Sequence, residues 1–179
     1  RSEIMNKARA VGVPVEAVRR AVATFGASPE DNPGRARLFD LGGVRILLDF
    51  GHNPAGVQGV LEVGRALLGG GSRFCVITGQ AGDRTDDDVS ALAAAILVGR
   101  PDHVVVRELA HYLRGRAPGE VPERFRNALI ALGCPSNAIS LAADEPDALA
   151  LALVRAQPGD VILLLVHVER DATAQYLAG

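Results

Sequence analysis

The chain has 179 residues, 48% of them hydrophobic and 22% charged, with 19 basic residues set against 21 acidic ones and a formal net charge of -2. That profile suits one folded domain or slightly more, and it excludes disorder, collagen-like repeats and coiled coil. The two signs of charge are interspersed and no apolar run approaches the ~20 residues of a membrane span, so neither nucleic acid nor membrane is an expected partner.

Residues 1–25 carry Ile4, Ala8, Val11, Val15, Val18, Ala21 and Val22 at helical spacing around Gly12 and Pro14, which predicts two helices joined by a tight turn. Residues 26–34 hold two prolines and two glycines and read as a linker, so a boundary is expected there, with a main domain over 35–179. Two short apolar runs, RARLFDL and VRILLDF, flank Gly42-Gly43 and predict a hairpin. Helix and strand then alternate. Helices are expected at 54–68, 86–98, 121–132, 147–156 and 171–177, and strands at 74–78, 103–106, 138–141 and 161–166. The strands are continuous apolar runs (FCVIT, VVV, VILLLV), as in a parallel sheet covered by helices on both faces. The fold class expected is therefore α/β, a Rossmann-like, mostly parallel sheet with an N-terminal hairpin, preceded by a short helical segment.

In such a sheet the ligand crevice lies beyond the carboxyl ends of the strands. The residues that follow each strand are polar: Asp49, His52 and Asn53 after the hairpin, Gln80, Asp83 and Arg84 after FCVIT, Arg107, Glu108, His111, Arg114 and Arg116 after VVV, and His167 and Glu169 after VILLLV. Each also has a local reading. Asn53-Pro54 is a cap and first-turn pair, and Asp86, Asp87 and Asp88 complement a helix dipole. Gly79 and Gly82 turn the chain and leave amides free before a helix N-terminus, while paired guanidinium groups match a carboxylate or phosphate bidentately. Cys75 and Cys134 lack CxxC or Cys/His spacing and read as buried free thiols. Lys7 is the only lysine, and no GxxxxGK[ST] loop precedes it, so phosphate-loop and lysine chemistry are not expected in this chain. It begins at Arg1 and carries no signal segment, which predicts a fragment of a larger cytoplasmic protein.

The order PGRAR (33–37), hairpin, DFGHNPAG (49–56) and GDRTDDD resembles the C-terminal domain of the Mur ligase superfamily. HYLRGRAPGEV and DEPDALALALVRAQPGDVILL are similar to the same domain in cyanophycin synthetases, and residues 1–25 resemble the last helices of the central domain before it. The resemblance implies ATP-dependent amide bond formation, in which a carboxylate is phosphorylated and then attacked by the amine of an amino acid. It places the phosphate loop, the essential lysine and most of the Mg2+ ligands in the missing central domain, so no metal ligand is expected here and the chain alone should be inactive. By resemblance Arg35 approaches the ATP phosphates, Asp49 the ribose hydroxyls, and His52 and Asn53 the nucleotide surroundings. Asp83, Arg84, Arg114, Arg116 and His167 fall to the amino acid substrate. LRGR stands where the peptidoglycan enzymes carry DNPR. The partners implied are ATP, a small amino acid and the preceding domains of the full-length enzyme, with the acceptor and the oligomeric state open. Two other readings of the residues stand beside this one: a non-catalytic nucleotide or small-ligand binding module, and a metal-assisted hydrolase using Asp49, His52, Asp83 and His167.

Overall fold

Gly42 and Gly43 have φ of 61° and 85°, the left-handed pair that a two-residue hairpin turn requires. They join β1 (Arg37–Leu41) to β2 (Val44–Asp49) with Leu41 opposite Val44 and Arg37 opposite Leu48. The computed structural model describes residues 36–165, all of them in the unit Ala36–Gly179. The expected helices in 1–25 and 171–177, the linker 26–34, and Arg35, Val166 and His167 lie outside the described residues.

Beyond the hairpin come α1 (Pro54–Ala66), β3 (Phe74–Thr78), α2 (Asp86–Val98), β4 (His103–Arg107), α3 (Glu120–Ala131), β5 (Ile139–Ala142), α4 (Glu145–Arg155) and β6 (Val161–Leu165), with single 3-10 turns at Ala110–Tyr112 and Ser136–Ala138. The strand order is β1-β2-β6-β3-β4-β5, and every pairing after the hairpin is parallel. From β2 to β5 the chain moves steadily across the sheet, and α4 then returns it to insert β6 between β2 and β3. The direction of winding reverses there, which places a crevice at the carboxyl ends of those strands.

Two apolar layers hold the sheet between helices. On one face Val57, Leu61, Leu92, Ile96, Phe125 and Leu129 of α1, α2 and α3 pack on Leu47, Val76, Val104 and Leu163. On the other, Ala148, Leu149 and Ala152 of α4 pack on Ile46, Leu48, Ile77, Val105 and Ile162. Helices on both faces explain the continuous apolar strands. Boundaries move by a residue or two. α4 starts two residues before the expected position because Asp144 accepts from the Asp147 amide at 2.8 Å and a proline sits in the first turn. β4 runs on to Arg107, whose side chain is 2% exposed and pairs with Glu145 at 3.0 Å.

Candidate functional site

A cleft of about 280 Å³ opens at the carboxyl edge, lined in part by Phe50 and His52 after β2 and by Gly79, Gln80, Asp83 and Arg84 after β3. Leu109, Tyr112 and Arg114 close it from the segment after β4. Strands of neighbouring register end together, so three loops distant in sequence meet where the winding reverses. Asp83 and Arg84 are exposed and make no ion pair among the described residues. Arg114 sits 5.4 Å over the Tyr112 ring, within cation–π range, and its backbone has φ 52°. A non-glycine residue held in that region costs of order 1 kcal/mol and persists only where its surroundings fix it.

The two loops that carry these charges are joined at Gly82. Its amide donates to the Tyr112 carbonyl at 2.8 Å, and a Cβ there would lie 1.9 Å from the Leu113 oxygen, so only glycine permits the approach. Arg116 completes the joint: Nε donates to the Gly82 carbonyl at 3.2 Å and Nη1 to Glu120 at 2.7 Å. Hydrogen bonding from the Ala117 amide and then Arg116 holds the Glu120 carboxyl below the usual range. Of the two arginines read from sequence, Arg114 therefore lines the cleft, while Arg116 braces its wall. Thr85 caps α2 in a reciprocal capping box with Asp88, so Asp86, Asp87 and Asp88 serve the helix start.

At the neighbouring corner Asp49 is 6% exposed. Its Oδ1 accepts from the Gly51 amide at 2.7 Å and its Oδ2 from the Ala36 amide at 2.9 Å, which shapes the turn out of β2 and leaves each oxygen one further lone pair. His52 is exposed, with its ring 5.3 Å from that of Phe50 and Nδ1 3.2 Å from the Phe50 carbonyl. Asn53 caps α1 by accepting from the Gly56 amide at 2.9 Å. Aromatic rings, a side-chain amide and a carboxylate with spare lone pairs are groups that fit the base and ribose of a nucleotide. Magnesium is different. Among the described residues no group of three or more His, Cys, Asp or Glu is placed to hold a metal ion, and His167, the fourth residue of the metal-assisted hydrolase reading, lies outside them.

For Arg107 and Gln80, both expected at the carboxyl edge, it is the burial and the partners that escape sequence reasoning. Arg107 donates to the Leu165 carbonyl at 3.1 Å while pairing with buried Glu145, tying the ends of β4 and β6 to the start of α4. Gln80 is 8% exposed and lines the cleft. Among the described residues no helix is long and apolar enough to cross a membrane, and Cys75 and Cys134 are free thiols. Burial pushes the Cys75 thiol up to about 12.

The sequence profile of the family described as Mur ligase, glutamate ligase domain, matches residues 34–165. Cyanophycin synthetase of Crocosphaera subtropica is 33% identical over 153 residues, 86% of this chain and 17% of that protein. The cyanophycin synthetase of a Synechocystis species is 34% identical over 156 residues, again 86% of this chain and 17% of that protein. Among solved structures, a murein peptide ligase from Psychrobacter arcticus superposes with TM-score 0.68 at 19% identity, over 97% of this chain and 34% of that one. E. coli FolC in complex with DHPP and ADP does so with TM-score 0.62 at 21% identity, over 94% and 37%. These likenesses show a fold common to ligases of larger size. The chain spans 17% of the length of the two synthetases. It belongs to the Mur ligase family, whose glutamate ligase domain it carries.

Proposed function

We propose that this chain is the C-terminal domain through which an ATP-dependent, cyanophycin synthetase-like ligase engages its nucleotide and its incoming amino acid. The observation that supports it most is the cleft: it brings Asp83 and Arg84 together with Arg114 beside an exposed aromatic corner. The guanidinium groups of Arg84 and Arg114 suit the amino acid carboxylate, and Asp83 offers a counter-charge to its ammonium group. The corner of Asp49, His52 and Asn53 takes the ribose and base, and Arg35 the phosphates. In this reading ATP supplies the phosphoryl group that activates a carboxylate, and Mg2+ is held by preceding domains, which are also the partner that completes the site. Arg116 serves the substrate indirectly through the wall it braces, and His167 is assigned to the amino acid substrate by the resemblance alone. The enzyme acts in the cytoplasm, and this chain alone is inactive.

The reading is tested in the full-length protein. Arg114→Ala is expected to raise KM for the incoming amino acid at least ~10-fold, the loss of one charge-assisted bond, and to leave KM for ATP unchanged. Arg114→Lys restores it only in part, because an ammonium lacks the bidentate fork. Equal effects on both constants, or none, overturn the assignment of the cleft to the amino acid.

A further inference from the structure

Arg114 occupies a backbone position that suits it poorly. Its φ is 52° and that of Gly115 is 87°, a left-handed pair in which glycine is at ease and a long side chain is strained. Strain kept at a residue that lines the cleft points to a use for the side chain placed there. Among the described residues that side chain makes no hydrogen bond and no ion pair, and its contact is with the Tyr112 ring, whose centroid is 5.4 Å from the guanidinium carbon. Tyr112 is itself fixed at the backbone. Its amide donates to the Leu109 carbonyl at 2.7 Å and its carbonyl accepts from the Gly82 amide at 2.8 Å, so the ring stands on the joint between the two loops. It is 37% exposed and lines the cleft together with Arg114.

We propose that Tyr112 is a positioning residue: its aromatic ring holds the Arg114 guanidinium in place for the carboxylate of the incoming amino acid. The inference rests on the ligase reading above. A guanidinium is weakly hydrated and is attracted to an aromatic face, a contact that draws on its positive charge and leaves its N–H donors for a carboxylate. An arginine side chain that moves freely must give up rotamer freedom when it grips a ligand. One already held against a ring gives up less, and the difference appears as affinity. At an exposed ring the contribution is small, about 2–5-fold in binding. The backbone bonds of Tyr112 fix the ring to the Gly82 joint, and the ring in turn fixes the charge, so the strained turn at Arg114 delivers its side chain to one place.

Calorimetric titration of the full-length protein with each standard amino acid, in the presence of the ATP analogue AMPPCP, tests this. Tyr112→Leu is expected to weaken binding of the amino acid that the parent takes by about 2–5-fold. Tyr112→Phe should match the parent, and Tyr112→Trp should bind at least as tightly, since the larger ring attracts a cation more strongly. Affinity for AMPPCP is expected to be the same in all of them. The decisive measurement is a double-mutant cycle: once Arg114→Ala has removed the guanidinium, adding Tyr112→Leu weakens binding no further. A ring that merely held the loop, or touched the amino acid itself, would weaken binding in that background as well. Should Tyr112→Leu fold poorly, Tyr112→Gln, which also lacks a ring, carries the same test. Unchanged affinity in Tyr112→Leu, a Tyr112→Phe as weak as Tyr112→Leu, or a loss that persists beside Arg114→Ala overturns the inference and leaves the ligase reading standing. Binding of no amino acid by the parent overturns the ligase reading, and this inference with it.

Discussion

One carboxylate, Asp160, joins the start of β6 to the start of β3. It accepts from the Arg73 amide at 2.8 Å, from Arg73 Nε and Nη2 at 3.0 and 2.7 Å, and from the Gln157 amide at 2.9 Å. Burial pushes its carboxyl up, but the hydrogen bonds from Arg73 and Gln157 and the Arg73 charge outweigh that and hold it below the ordinary value. A folded-state value below the unfolded one stabilises the fold at pH above the unfolded value of about 3.9, and the contribution fades as pH falls through the folded one. Asp160→Asn is therefore expected to cost about 1–3 kcal/mol near neutral pH, and to narrow its gap to the parent below about pH 4. Urea denaturation over that range checks it, and a gap independent of pH would remove the charge from the account. Asp160 could not be found in the sequence, because its partner Arg73 stands 87 positions away. Asp83, Arg84 and Arg114 were legible because each follows an apolar run that had to be a strand.

Loops after adjacent strands become one wall only if something locks them, and here the lock is Gly82 with Arg116. Gly82→Ala places a methyl group 1.9 Å from a backbone oxygen, so the two loops must part. We expect that variant to lose about 1–3 kcal/mol of stability and most of its amino acid affinity, whereas Arg116→Ala, which keeps the close approach, loses less of both. Thermal melting and amino acid titration of the two variants decide it. If Gly82→Ala binds like the parent, the joint does not shape the cleft. Helices and strands of this size were readable from apolar spacing and from caps such as Asn53 and Thr85. The brace was not, because GQAGDR and LRGR look alike as turn chemistry, and only the close approach of Gly82 to Leu113 separates the residue that lines the cleft from the one that holds the wall.

The strand order follows from no local pattern either: β6 enters between β2 and β3 although it is the last strand described. Contacts across that seam span most of the chain, as when Arg45 donates to the Gly159 carbonyl at 3.2 Å from 114 positions away. At the carboxyl end the seam is held by Arg107, which reaches the Leu165 carbonyl while paired with Glu145 at 3.0 Å. The two side chains are 2% and 3% exposed, so neither charge can recover its hydration if the other is removed. Arg107→Met alone is expected to cost about 3–5 kcal/mol by breaking the buried pair from one side, and Glu145→Leu alone a similar amount from the other. The double variant, with apolar groups of similar volume at both positions, should cost clearly less than the sum, since it buries neither charge without the other. Chemical denaturation of all four proteins closes the cycle. Additive losses would mean that the pair does not act as a unit. A large positive coupling would show that the edge carrying the cleft is fixed by one buried ion pair.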